Sequence, residues 1–286
     1  MGAPAPVGDD RGVSEPRRLT PFADLDGVLV ELVRGVKDVL GNGCVGVYLT
    51  GSFAVGDADA FSDVDFLVVV RDEIDELQRM GLQTLHEQLY GLPVEWAQHL
   101  EGSYAPAARL RRLETEPSPF LFLDNGATRL EPDTHCNTAV VRWVLREHAH
   151  VLEGPDPRTL VDPLPPNGLR RETVGTVAEY VEWAPAPTKA GGAMSRWKQP
   201  YLVLTLCRLL HTLTFDRVTS KRLAGEWALA ELDRRWQALI RRAIDDRPDP
   251  WARVHQAALR ADVAETLAFA EYTLAEAGRR AEQLGL

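Results

Sequence analysis

The sequence predicts an α/β unit followed by an all-helical unit, and three observations carry that expectation. Two short runs rich in β-branched and aromatic residues, 45–50 and 63–70, lie between helical patterns near the start of the chain. Beyond His135 the apolar spacing turns helical almost throughout, broken at EGPDP, DPLPPNG, APAPTKAGG and DDRPDP. At 286 residues with 45% hydrophobic content, the chain suits two modest domains better than one core, since single cores rarely grow past ~250–300 residues.

Taken in order, residues 1–20 are rich in Pro, Gly and charge without a hydrophobic period, which marks a flexible tail. Leu25, Val28, Leu29, Leu32, Val33, Val36 and Leu40 then recur at three- and four-residue steps, one face of a helix that Gly41 and Gly43 end. The runs 45–50 and 63–70 read as paired strands with GSFAVGDADAFS between them. A polar, leucine-spaced helix over 73–90 and a strand over 96–104 complete a first domain assigned to 21–134. Helices at 137–148, 170–183, 199–215, 220–232 and 254–284 make up a second, 135–286, with no repeat of fixed period.

Composition excludes several classes of function. A formal charge of -10 argues against a broad hold on nucleic acid, which is built from lysine and arginine neutralising phosphates. Cys44, Cys136 and Cys207 are widely spaced among apolar neighbours and read as buried thiols, not as a disulfide framework or a zinc site. His135, His148 and His150 lack the spacing to cysteines or carboxylates that a zinc site needs, and the RLRRLE run near Arg109 reads as the wet face of a helix. The N-terminus has no apolar core of signal-peptide length and no later run approaches the ~20 residues that cross a bilayer, so a cytoplasmic protein is expected.

The chemistry concentrates in LTGS, 49–52, followed ten residues later by SDVD, 62–65. Asp63 and Asp65 are two apart on a predicted strand, so they face one side and can share a hard cation such as magnesium. On a half-buried strand otherwise written FLVVV, two carboxylates repel and lose hydration unless a cation or donors compensate them. A D-x-D by itself is common and also fits a solvated strand mouth. Gly51 lets the backbone turn closely after an apolar strand, and Ser52 opens a helical turn whose amides and hydroxyl can cradle phosphates. Without the two aspartates the same pair would read as an ordinary helix start.

TGSFAVGDADAFSDVDFLVV resembles the polymerase-β-like nucleotidyltransferases, whose pattern is strand, Gly-Ser, short helix, then D-x-D on the next strand. Within that superfamily the chain most resembles the aminoglycoside adenylyltransferases of the streptomycin/spectinomycin type, over nearly its whole length after the tail. The resemblance implies a mixed sheet with flanking helices, a helical-bundle C-terminal domain, ATP as co-substrate and magnesium on Asp63 and Asp65. It implies nucleotide contacts at Gly51, Ser52, Ser62 and Lys221. HLEGSY, 99–104, resembles the strand that supplies a third acidic residue, by position Glu101, as general base; Glu95 is the competing candidate before the strand's core. VLTLCR, 203–208, resembles the central C-terminal helix, and in TSKRLAGEWA, 219–228, Ser220 or Thr219 can cap a helix. Lys221 in the first turn opposes the helix dipole, which a bound anion would make sense of.

The acceptor is less well defined. Acidic and aromatic groups are expected before the helix matched by VLTLCR, whereas this chain has the basic stretches Thr188–Lys189–Ala190 and Arg196–Trp197–Lys198–Gln199. Glu179, Glu182 and Trp183 can form an acidic, aromatic wall or the ordinary polar face and core contact of a helix, and Ile244 stands where the family has a tyrosine. The leading expectation is a monomeric enzyme that moves AMP from ATP to a hydroxyl of a small acceptor, foremost an aminoglycoside or aminocyclitol antibiotic. Transfer to a protein, RNA or metabolite is the alternative, and a non-catalytic, antitoxin-like nucleotide-binding partner is a third.

Overall fold

The computed structural model describes residues 18–187, 194–247 and 253–286. Residues 1–17 of the expected tail and the stretch Thr188–Lys189–Ala190 lie outside the described residues.

Helix α1, Ala23–Leu40, buries the predicted stripe Leu25, Val28, Leu29, Leu32, Val36 and Leu40 and stops at Gly41, whose φ of 52° suits glycine. β1, Cys44–Leu49, and β2, Val64–Val70, pair antiparallel with Leu49 opposite Phe66, and the four-residue α2, Gly51–Ala54, lies between them. Helix α3, Glu76–Tyr90, starts later than residue 73 because Asp75 forms a capping box with Gln78. The strand expected from 96 begins only at Leu100: residues Glu95–His99 form a 3-10 turn, and β3, Leu100–Pro106, runs parallel to β2 with Asp65 opposite Glu101.

After the single turn α4, Ala107–Leu110, β4, Phe120–Leu123, adds antiparallel to β3, and β5, Leu130–Asp133, adds antiparallel to β4. α5, Ala139–His148, then leads into β6, His150–Glu153, which pairs antiparallel with β1. The six-stranded sheet has the order β5-β4-β3-β2-β1-β6 and is mixed through its one parallel pair. The expected division at 134/135 thus falls inside structure that stays with the sheet. A helix and a four-residue strand carry the chain back to the β1 edge before it leaves.

Alternation along the strands gives the sheet two cores. Val47, Leu49, Phe66, Val68 and Tyr104 meet α1 and α3 on one side. Tyr48, Leu67, Val69 and Ala105 meet Phe120, Cys136 and Leu145 on the other. Asp63 and Asp65 share the parity of Leu67, so they stand on the face away from α1. Arg142 of α5 is fully buried there and satisfied by the carbonyls of Arg109 (3.0 Å) and Leu110 (3.1 Å) and by Asn137 Oδ1 (2.7 Å). The charge run around Arg109 is spent on ion pairs: Arg109 with Glu114, and Arg111 and Arg112 with Asp162.

The second unit is built around α7, Lys198–Phe215, which is apolar on nearly every side and therefore surrounded. It packs against α6, Gly168–Trp183, α8, Lys221–Glu231, α9, Gln237–Asp245, and α10, Arg260–Leu284. No helix among the described residues is long and apolar enough to cross a membrane. Cys136 and Cys207 are buried and Cys44 half-buried, all as free thiols.

Candidate active site

The end of β1 delivers the chain to Gly51 with φ at 58°, the left-handed region that glycine enters without strain. A Cβ at this position would stand 1.7 Å from Asp65 Oδ2, so the glycine is where the backbone and the Asp65 carboxylate touch. The Thr50 N–H donates to the Asp65 carbonyl at 2.8 Å, which fixes the turn to β2 from the other side. The next side chain, Ser52, has a buried hydroxyl with no hydrogen-bond partner among the described residues, a donor in need of an acceptor oxygen.

Asp65 sits in β2 opposite Glu101 in β3, and Asp63 precedes it by two residues on the same face. Burial pushes the Asp65 carboxyl well above the usual carboxylate range, with Asp63 and then Glu101 adding to the effect and Lys221 and Arg208 opposing it. Three carboxylates crowded at one sheet end call for positive charge. Among the described residues no three His, Cys, Asp or Glu side chains form a metal-binding group by themselves. The donor set fits magnesium nevertheless, because that ion takes one or two carboxylates and completes its octahedron with water and substrate phosphate oxygens.

Cations and aromatic rings reach this end of the sheet from the helical unit. The Lys221 ammonium lies 4.3 Å from the centre of the Tyr201 ring. Burial pulls its pKa down, as does nearby Arg208, while Asp63, Tyr180 and Asp65 push it up. The Tyr180 and Tyr201 hydroxyls are 3.0 Å apart, and Trp197 stacks on Tyr201 at 5.0 Å between centroids. Burial raises the Tyr201 pKa; Tyr201 also feels the charges of Arg208, Glu101 and Asp63, and so belongs to the same cluster. His135 Nε2 lies 3.3 Å from Glu101 Oε1, and this hydrogen bond raises the imidazole pKa.

The structure therefore brings together Asp63, Asp65, Glu101, Gly51 and Lys221, with Ser52 adjoining Gly51. Ser62 closes the loop that precedes Asp63. Its hydroxyl accepts from the Asp59 N–H at 3.0 Å and lies 3.3 Å from Asp59 Oδ1. Glu95 is exposed in the 3-10 turn before β3. Glu179 and Glu182 are exposed on α6, whereas Trp183 is covered by Lys198, whose ammonium lies 4.0 Å from the ring centre and donates to the carbonyls of Trp183 (2.8 Å) and Ala186 (2.7 Å). Ile244 packs in the helical core against Gly225.

Arg208, Tyr201 and Tyr180 join the site without having been singled out from the sequence. Arg208 was the charged end of an otherwise apolar run, and its signal was spacing: seven residues separate it from Tyr201, which puts both on one face of α7. No carboxylate among the described residues pairs with its guanidinium.

Residues 31–111 match the family model described as nucleotidyltransferase domain, and residues 159–276 match aminoglycoside adenylyltransferase, C-terminal domain. The chain is 27% identical to spectinomycin 9-adenylyltransferase of Staphylococcus aureus over 221 residues, covering 74% of this chain and 80% of the relative. It is 26% identical to aminoglycoside (3'')(9) adenylyltransferase of Escherichia coli over 228 residues, covering 77% of this chain and 83% of the relative. Its fold matches that of spectinomycin adenyltransferase from Enterococcus faecialis, solved with ATP and spectinomycin, at a TM-score of 0.68 and 15% identity, over 87% of this chain and 98% of the other. The chain thus joins a nucleotidyltransferase domain to an aminoglycoside adenylyltransferase C-terminal domain, and it is an adenylyltransferase of that two-domain type.

Proposed function

We propose that the protein transfers AMP from magnesium-bound ATP to a hydroxyl of a small cationic antibiotic, an aminoglycoside or an aminocyclitol. The observation that carries this reading is the meeting of Asp63, Asp65 and Glu101 from the sheet with Lys221 and Arg208 from the helical unit. Asp63 and Asp65 are the residues that would hold the metal; bound there, it supplies charge neutralisation for the phosphates and a fixed orientation for the leaving pyrophosphate. The Ser52 hydroxyl, the turn at Gly51, Lys221 and Arg208 bind the triphosphate, an anion suited to the half-buried Lys221 and to Arg208, neither of which has a carboxylate partner among the described residues. Glu101 accepts the proton of the acceptor hydroxyl as its oxygen attacks the α-phosphate. Positioning and charge stabilisation account for most of the catalysis in such a reaction.

Two facts support a cationic acceptor: the formal charge of -10 and the names of the relatives, which act on spectinomycin and aminoglycosides. A different small hydroxylated acceptor is the second reading, and Lys198 favours it. A lysine, spent on two carbonyls and a tryptophan ring, begins the helix that borders the cleft where an acidic group was expected. ATP as co-substrate fits a cytoplasmic location.

Pyrophosphate release from ATP and magnesium, measured across a panel of aminoglycosides and spectinomycin, tests the proposal. Drug-dependent release that disappears in Asp63→Ala, Asp65→Ala and Glu101→Gln supports it. ATP binding without release on any drug moves the acceptor elsewhere.

A further inference from the structure

The loop 55–63 between α2 and Asp63 carries two carboxylates that the proposed chemistry does not use, Asp57 and Asp59. Asp57 has a side chain only 10% exposed, and both of its oxygens are engaged by the other domain. The Ser220 hydroxyl donates to one oxygen, and Arg222 donates to the other through Nε at 3.0 Å and through a terminal guanidinium nitrogen. These partners are the residues immediately before and after Lys221. Ser220 is also the N-cap of α8, accepting from the Leu223 N–H at 3.1 Å, so a carboxylate at this point is favoured by the helix dipole as well. Arg247, just beyond α9, makes a second tie from the same domain to Asp59 of the same loop.

Lys221 itself has no ion-pair partner among the described residues and rests on the Tyr201 ring. A lysine side chain has about 2 kcal/mol of rotamer entropy to lose on being held, so its placement depends on how firmly its backbone is fixed. We propose that Asp57 is a positioning residue for Lys221: by gripping the residue on each side of it, Asp57 registers the start of α8 against the loop that ends in Asp63. The inference rests on the reading of Lys221 as a triphosphate contact. It adds that the lysine's contribution depends on a carboxylate that never touches nucleotide.

The test is a double-mutant cycle on the full chain, reading the Kd for magnesium ATP by calorimetry in wild type, Asp57→Ala, Lys221→Met and the double variant. Each single variant is expected to weaken binding about tenfold, and the double to bind within about threefold of Lys221→Met, because residues acting through one contact are not additive. Asp57→Asn, which keeps an acceptor for Ser220 and Arg222, should restore part of the loss. Glu226→Gln should leave affinity unchanged, since Glu226 pairs with Arg222 only along α8. Melting temperatures of all variants separate lost folding from lost positioning. If Asp57→Ala does not fold, Arg222→Gln removes the same bridge from its partly exposed side and enters the cycle in its place. Losses that multiply in the double variant, or undiminished binding in Asp57→Ala, overturn this inference and leave the proposed function standing. Absence of ATP binding in the wild type overturns both.

Discussion

At Gly51 the requirement is steric: a left-handed backbone conformation coincides with contact to a carboxylate. Gly51→Ala should cost on the order of 1–3 kcal/mol of stability from the strained backbone, and more than tenfold in kcat from displacement of Asp65, measured by thermal unfolding and by turnover. At Glu101 the proposed role is chemical. Glu101→Gln keeps the side chain's shape and removes its basicity, so kcat should fall by about 10²–10⁴ with little change in the KM for ATP, as steady-state kinetics would show. Arg208 and Lys221 illustrate the limit of reading residues one at a time. Lys221 was legible because a cation in a helix's first turn opposes the dipole, which asks for an explanation. Arg208 lies inside an apolar run, and only the packing of α7 brings its charge within reach of Asp65.

Between α3 and β3 a buried contact makes stability depend on pH. His86 Nε2 lies 2.7 Å from the Tyr104 hydroxyl, and burial pushes the imidazole pKa down to about 4. The unfolded chain takes up the proton near pH 6.5 while the folded chain refuses it, so stability is complete above that pH and is lost as pH falls from about 6.5 to 4. The loss should reach ~3 kcal/mol, and a His86→Phe variant should flatten the profile, as urea titrations at several pH values would reveal. Elements whose signal is local were readable in advance: α1 by its periodic stripe, β1 and β2 by their β-branched runs around a glycine turn. β4, β5 and β6 were not, because each has only four residues; β6 depends besides on a distant partner, Val47 pairing with Glu153 across more than a hundred positions. α9 was missed because it is short and lies just before the DDRPDP break. The D-x-D shows the converse: alternation along a strand needs no knowledge of its neighbours, and Asp65 lies in β2 with Asp63 one residue before its start.

For the molecule as a whole, the sheet domain reaches past the point where the composition changes. A fragment ending at residue 134 would lack β6 on the β1 edge and α5 over the second core, exposing Tyr48, Leu67 and Phe120. It should show little cooperative unfolding by circular dichroism, whereas a fragment extended to residue 165 should regain a melting transition. The two units meet where the sheet supplies negative groups and the helices positive ones, so under the proposed function a triphosphate needs both halves. β2 separates the two cores by strict alternation, and that arrangement limits how the gene can change length. A single codon gained or lost between Asp63 and Val70 would turn the Asp65 carboxylate toward the side covered by α1 and send its apolar neighbours toward the substrate. Insertions and deletions should therefore accumulate in connections such as 111–119 and 154–167, leaving this stretch free to change its letters but not their number.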